Sequence, residues 1–360
     1  MIFVHLLNDR SGSPTVLASV IEAIAQDSDV LIVSEGDGAL ADLKVAKWHY
    51  PYSRFSNKWF TLTSYLVSQL ALMVFLFWRT RKRSRREAIY INTALPFGAA
   101  VFGRLSGRPV IYHLHEVSIS PRLLQKFLWK VVSMTASEVR FVSDFQRRTV
   151  EISHENTRVI HNAISARLAS EAAEYQRGVG SEVFNVVMLA TLRDYKGVPE
   201  FIELARRYEK NRSFHFQLIA NDDAATVKQY FETKRPLPSN FTVEPRTDQL
   251  SPIYVNASLV VNMSRPQEWV ETFGLTLLEA MSFGVPVIAP PVGGPVELLG
   301  DDLSAYLIEG TDLESICEKI SALSENSDVY AEVSEKCLKR ATHFSRERFI
   351  ANLAMAEPTA

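Results

Sequence analysis

The sequence predicts an α/β protein built from two doubly wound, Rossmann-like domains facing an interdomain cleft. Three observations predict it. The 360-residue chain is longer than a single core usually supports, so two domains are expected. Short apolar runs alternate with longer helical patterns in each half, the sign of a parallel sheet covered on both faces. Between the two series lies a polar, Ala/Glu/Ser/Gly-rich stretch, residues 165–182, with no strand pattern. It reads as a domain linker.

In the first half, residues 2–7, 30–34, 88–92, 110–115, 139–143 and 158–160 read as strands, with helices over 14–25 and 121–134 among those between them. In the second half the strand candidates are 184–192, 214–220, 241–244, 259–263, 285–289 and 305–308. Thr311, with Glu314 three residues on, reads as a capping box opening one of the closing helices. The expected division is therefore a first domain over 1–168, a second over 183–342, and a terminal helix over 343–360 that can return to the first. Doubly wound sheets bind ligands at the carboxyl ends of their strands. Two such ends facing each other would make a cleft suited to a long ligand.

Composition excludes several classes. The chain is 47% hydrophobic and 22% charged, with a formal net charge of −2, so no basic field points to nucleic acid. The two cysteines, Cys317 and Cys337, each fit an apolar helical stripe and have no partner at metal-ligand spacing. They read as buried thiols, and no metal site is expected. The opening MIFVHLLNDRSG has no basic start and reads as a first strand, which makes the cytoplasm the expected compartment.

The most informative stretch is residues 264–299, SRPQEWVETFGLTLLEAMSFGVPVIAPPVGGPVELL. A strand ends near Met263, a helix begins around 272–274, and Gly284 followed by Pro286 stops it. Such a helix N-terminus attracts phosphate through its unbonded amides and positive dipole. Two carboxylates, Glu271 and Glu279, flank it. On one continuous helix they would stand ~80° apart in azimuth and ~12 Å apart along the axis. Paired glycosidase carboxyls are about 5–9.5 Å apart, so this pair suits gripping the two ends of a long ligand better than glycoside hydrolysis.

The two glutamates seven residues apart, the ETFG and LLEAM wording, and the GVPVIA and GGPVE that follow resemble the family 4 glycosyltransferases. The resemblance implies a retaining GT-B enzyme that uses a UDP- or GDP-linked sugar donor with no bound metal and no further cofactor. It implies that Glu279 holds the ribose hydroxyls and that Glu271 contacts the donor sugar. The amides of Phe273, Gly274 and Leu275 would then meet the diphosphate or sugar. VVMLATLRDYKGVPEFIELA resembles the family's phosphate-binding strand–loop–helix. Lys196 fits that pattern. The usual arginine position is Thr191, and Arg193 lies two residues on; strand side chains alternate, so the two point to the same face and Arg193 can still reach the donor phosphates. VIYHLHEVSI resembles the strand that ends in a cleft histidine, which assigns that role to His115 with Glu116 following, and leaves His113 as a core residue. FVSDFQRRTV and VIHNAIS follow the family's closing segments. The first loop, NDRSGSP, has the single Gly12 where the family often has two adjacent glycines, and that glycine can still bring the backbone close to a phosphate or sugar of the donor. The implied acceptor is a glycan or lipid-linked oligosaccharide of cell-surface polysaccharide synthesis.

Residues 59–78 carry no charge and are followed by RTRKRSRR. The length approaches a bilayer span. Spanning would put the strand at 88–92 across the membrane from its sheet partner at 2–7, so a peripheral reading is preferred. Arg79, Arg81, Lys82, Arg83, Arg85 and Arg86 are expected to dock on an anionic membrane face; a solvated charge run is the competing reading. A metal-dependent GT-A enzyme fits poorly, because the one Asp-x-Asp, Asp27-Ser28-Asp29, precedes a strand. Another GT-B enzyme such as a sugar-nucleotide epimerase, and a non-catalytic sugar-nucleotide-binding subunit, are the remaining alternatives.

Overall fold

The computed structural model describes residues 1–34, 37–175 and 183–354. The chain divides into two compact units, Met1–His161 together with the described residues from Phe349 onward, and Asn162–Arg348.

The first unit runs β1 (Ile2–Val4), α1 (Gly12–Ile24), β2 (Val30–Val33), β3 (Ala46–His49), α2 (Lys58–Thr80), β4 (Ile89–Asn92), α3 (Phe97–Ser106), β5 (Val110–Leu114), α4 (Arg122–Thr135), β6 (Glu138–Phe141), α5 (Asp144–Thr149) and β7 (Thr157–Val159). The strands form a parallel sheet in the order β3-β2-β1-β4-β5-β6-β7. β1, β2, β4 and β5 are short Val/Ile/Leu-rich runs buried on both faces, as helix-covered parallel strands require. One face is covered by Tyr65, Leu72 and Leu76 of α2, Ala99 and Phe102 of α3, and Leu128 and Val132 of α4. α2 starts where the Asn57 side chain accepts from the Trp59 amide. It crosses α3 closely enough that a Cβ on Gly98 would lie 2.1 Å from the Gln69 carbonyl oxygen.

The second unit runs α6 (Ala166–Glu174), β8 (Phe184–Ala190), α7 (Val198–Arg207), β9 (Phe214–Ala220), α8 (Ala224–Glu232), β10 (Phe241–Glu244), α9 (Ser251–Asn256), β11 (Leu259–Val261), α10 (Leu275–Ser282), β12 (Val287–Ile288), α11 (Gly294–Leu299), α12 (Leu313–Glu325) and α13 (Ser327–Ala341). α14 (Arg346–Ala354) follows. The sheet is again parallel, in the order β10-β9-β8-β11-β12.

The structure differs from the sequence expectations at four places. Residues 165–174 of the expected linker are not a tether: Ser165 caps α6, Leu168 is buried, and α6 packs on α9 and α10 inside the second unit. Residues 176–182 of that stretch lie outside the described residues. β3 was not anticipated, because its sequence AKWH is an edge strand without an apolar run. The strand expected at 305–308 reduces to a single bridge between Ala289 and Leu307, preceded by a 3-10 turn. The cap of α12 is Asp312, whose carboxylate accepts from the Ser315 amide, and not Thr311.

Candidate active site

Strand order locates the candidate residues of each unit. In the second unit β8, β9 and β10 progress to one side, and β11 and β12 to the other. The reversal falls between β8 and β11, and such a switch point opens a crevice at the carboxyl ends of the strands. Lys196 lies on the loop leaving β8, and Glu271 on the loop leaving β11. Their side chains meet, Lys196 Nζ to Glu271 Oε2 at 3.1 Å. The same ammonium sits over the Trp269 ring at 4.7 Å, a cation–π contact. Tyr195 stacks on that ring at 5.8 Å between centroids.

Glycines allow these loops to touch. Gly197 has φ +86°, and a Cβ there would be 2.2 Å from the Met263 carbonyl oxygen. The Gly294 amide donates to the Glu271 carbonyl at 2.8 Å, and a Cβ on Gly294 would lie 2.3 Å from the Thr272 oxygen. The loop that carries Glu271 is therefore held by backbone on both sides.

α10 begins at Leu275, with Gly274 at φ +98° as its N-cap. Its first intrahelical donors are Leu277 and Leu278, both to the Gly274 carbonyl, so the amides of Leu275 and Thr276 precede the helical ladder. Phe273 turns its ring into the core against Phe344. Glu271 lies before the helix and not on it, so the helical spacing expected for the two glutamates does not apply. Glu279, on the helix, is 7% exposed and accepts the Tyr254 hydroxyl at 2.5 Å. Burial pushes its carboxyl up to about 7, opposed by the Tyr254 bond.

Arg193 is not brought to this group. β8 ends at Ala190, so residues 191–193 are past the strand and the alternation that aligned Arg193 with Thr191 does not hold. Arg193 is exposed, and its guanidinium donates to the carbonyl of Leu192 at 2.7 Å.

In the first unit the strand order reverses between β1 and β4. Asn92, ending β4, donates through Nδ2 to the Ser13 carbonyl at 3.0 Å and lies 2.8 Å through Oδ1 from His115 Nε2. His5 Nδ1 lies 3.1 Å from the Asn92 carbonyl. Thus Asn92 ties the first residues of α1, Gly12 and Ser13, to the end of β5. Gly12 is exposed, and a Cβ on it would meet nothing within 4 Å, so no packing requires a glycine there. His115 is half-buried, and desolvation lowers its pKa to about 3, with His5 adding repulsion. It is therefore a neutral hydrogen-bonding imidazole. His113 is fully buried and bonds the Tyr90 hydroxyl at 2.8 Å, as a core residue would. Thr93 adopts φ +76° beside Asn92, an uncommon conformation for a β-branched residue. Asn92, Tyr254 and Trp269 were not singled out in the sequence. Trp269 lies inside the informative stretch, whereas the other two carry no local signal.

The basic cluster divides. Arg83 is used by the fold, donating to Glu87 at 2.7 Å and to the Ser28 carbonyl at 2.6 Å. Arg79 lies over the Trp48 ring at 4.5 Å and Arg81 over the Trp78 ring at 5.2 Å. Lys82, Arg85 and Arg86 are exposed. Among the described residues, no group of three His, Cys, Asp or Glu side chains converges to hold a metal.

Two parallel sheets with alternating helices, each with its candidate residues at its own switch point, define the GT-B class of glycosyltransferase folds. Residues 172–343 match the model of the family described as glycosyl transferases group 1. Among curated proteins, it is 34% identical over 110 residues to a D-inositol 3-phosphate glycosyltransferase of Salinispora arenicola, covering 30% of this chain and 24% of that protein. It is 26% identical over 251 residues to the sulfoquinovosyl transferase SQD2 of Arabidopsis thaliana, covering 63% and 47%. It is 38% identical over 88 residues to a sucrose synthase of Acidithiobacillus caldus, covering 23% and 11%. The matches thus span from about a tenth to about half of these relatives' own length. Among solved structures, Anabaena HepE in complex with UDP and glucose superposes with a TM-score of 0.80 at 19% identity, covering 100% of this chain and 99% of that one. Sucrose-phosphate synthase of Thermosynechococcus elongatus gives 0.69 at 15% identity, covering 98% and 97%.

Proposed function

We propose that this protein is a retaining, metal-independent glycosyltransferase. It moves a sugar from a UDP- or GDP-linked donor to a glycan or lipid-linked acceptor, in the cytoplasm, during cell-surface polysaccharide synthesis. The observation that carries the reading is the switch-point group of the second unit: Lys196 paired with Glu271 beside a Gly274-capped helix that holds the buried Glu279. A cation, uncommitted helix-terminal amides and two carboxylates suit a ligand with a diphosphate in the middle and hydroxyls at both ends. The match to the group 1 family and the UDP-containing complexes of HepE support the same donor chemistry.

Lys196 would leave Glu271 for the diphosphate, and the fixed amides would stabilise charge as the leaving phosphate departs, the usual large term in such catalysis. Glu271 would then turn to the sugar, and Glu279 would accept from the ribose hydroxyls. His115, neutral at working pH, would bond a sugar hydroxyl and not act as an acid. The acceptor hydroxyl attacks the anomeric carbon from the face the diphosphate leaves, and the departing phosphate takes its proton. Arg193 joins this scheme only if its bond to Leu192 is released.

Calorimetric titration with UDP, GDP, ADP and dTDP, each with EDTA present, tests the donor site. Binding of one nucleotide in EDTA is expected. Binding of none overturns the donor-site reading, and binding that appears only when EDTA is replaced by a divalent cation overturns metal independence. Donor turnover with a glycan acceptor separates the transferase from a non-catalytic binding subunit.

A further inference from the structure

The helical layer formed by α2, α3 and α4 has an outer face that the donor chemistry does not use. α2 is, by length and composition, long and apolar enough to cross a membrane. It does not cross one here, because Tyr65, Leu72 and Leu76 pack into the core and β3 and β4, on either side of it in sequence, belong to one sheet. Its opposite side carries Trp59, Phe60, Val67, Leu70, Val74 and Trp78, all exposed, with Trp59 at 77%, Leu70 at 61% and Trp78 at 57%. Val67, Leu70, Val74 and Trp78 recur at three- and four-residue spacing, and Phe60 lies two turns before Val67 beside Trp59, so they share one side of the helix along its length. α4 adds a second apolar line, Leu123, Phe127 and Met134, all exposed. The layer is continuous at that end, because Phe97 of α3 makes edge contacts with both Tyr65 and Phe127.

The charge around these stripes is one-sided. Residues 43–137 hold fifteen Lys and Arg against two acidic residues, in a chain whose net charge is −2. Of the two, Glu87 is paired with Arg83, and Glu116 is half-buried and accepts the His115 amide. Lys58 opens α2, Arg81, Lys82, Arg85 and Arg86 follow it, and Lys126 and Lys130 flank the α4 line, all exposed.

We infer that the outer face of the α2–α3–α4 layer inserts in the plane of an anionic lipid bilayer. An apolar helical face with aromatic ends and flanking cations matches the acyl boundary and headgroup zone of a leaflet. A soluble partner is less suited to so long an apolar stripe flanked by cations. A second copy of this chain would bring two basic faces together, which like charges oppose. The inference therefore adds apolar insertion to the electrostatic docking expected from the basic cluster. It places the protein where a lipid-linked acceptor would be found, yet it rests on this face and not on the transferase reading.

The test is flotation of the full chain with vesicles of phosphatidylcholine, alone or mixed with phosphatidylglycerol. Flotation with the mixed vesicles is expected. Tryptophan emission should be quenched by acyl-brominated lipid, and the quenching should be lost in W59F/W78F. The double variant Leu70→Glu/Val74→Glu, on the exposed side, should lower partitioning at least tenfold while its thermal melt and UDP titration match the parent. Replacing Arg81, Arg85 and Arg86 with Gln should weaken only the phosphatidylglycerol-dependent part. No flotation overturns the inference. Flotation indifferent to Leu70→Glu/Val74→Glu overturns it too, since it would mean surface charge alone. A dimer in sedimentation that these two substitutions dissolve, without vesicle binding, would assign the stripe to a second copy. UDP binding is read separately, so neither result decides the other.

Discussion

The Tyr254 hydroxyl donates to Glu279 Oε2 at 2.5 Å, and both side chains are buried in the second unit. Burial raises the Glu279 carboxyl from its ordinary 4.5 to about 7, while the Tyr254 bond pulls it down. The folded carboxyl thus keeps a proton that the unfolded chain has released. Its contribution to stability is complete below about pH 4.5 and is lost as pH rises through about 7. Glu279→Gln should therefore flatten the fall in Tm across that window, in melts recorded through a pH series. Tyr254→Phe should carry the midpoint higher. An unchanged slope in Glu279→Gln would assign the pH dependence elsewhere.

The same carboxylate is the proposed ribose contact. Glu279→Ala should weaken nucleotide binding by about 1–3 kcal/mol, the range for a lost hydrogen bond with a buried partner. If the ionised form accepts the hydroxyls, nucleotide affinity of the parent should rise as pH approaches 7 from below. Calorimetry at several pH values reads both, and affinity that is unaffected by the substitution removes the role.

Lys196 and Glu271 separate stability from chemistry. Their ion pair is partly exposed, and such pairs contribute about 0–1 kcal/mol. Lys196→Ala should hardly move the Tm, yet lower donor turnover by at least roughly tenfold if its ammonium serves the diphosphate. Equal losses in the melt and in turnover would make it a structural residue.

Two glycines should behave oppositely. Gly197→Ala places a Cβ 2.2 Å from the Met263 oxygen at φ +86°, and a loss of about 2 kcal/mol or more is expected from denaturant unfolding. Gly12→Ala meets open space and should leave the melt unchanged. Lost turnover in a fully stable Gly12→Ala would show that a ligand, and not the fold, needs the bare backbone.

His115 gives the contrary pH sign. Its pKa falls from 6.5 to about 3 on folding, so its contribution is present above pH 6.5 and is lost as pH drops toward 3. His115→Gln should make the melt less sensitive to acid between those values. Asn92→Ala removes the partner of its Nε2 and should lower turnover, with a smaller effect on stability.

Much of the architecture was legible because it is written locally. Val/Ile/Leu runs make buried parallel strands wherever they occur, and Gly284 and Pro286 stop α10 whatever surrounds them. The wording around Glu271 and Glu279 likewise marked a helix N-terminus with two carboxylates. The errors fall where a local reading has no purchase. Residues 165–174 are polar by composition, but α6 still buries Leu168 against its neighbours. Arg193 was aligned with Thr191 on the assumption that β8 continues, and β8 ends at Ala190.

What the sequence determined by itself was the alternation of elements, the stops and caps, and the residue types that meet at the site. What the tertiary structure decided was which of them meet. Lys196 and Glu271 are 75 positions apart and touch because β8 and β11 are neighbours in the sheet. Tyr254 reaches Glu279 across 25 positions for a similar reason. Residues 59–78 read as apolar nearly throughout, and only packing shows which side of α2 the core covers and which it leaves bare. Local conformation follows from a few adjacent residues; contact between distant ones follows from the order of strands, which no short stretch of chain encodes.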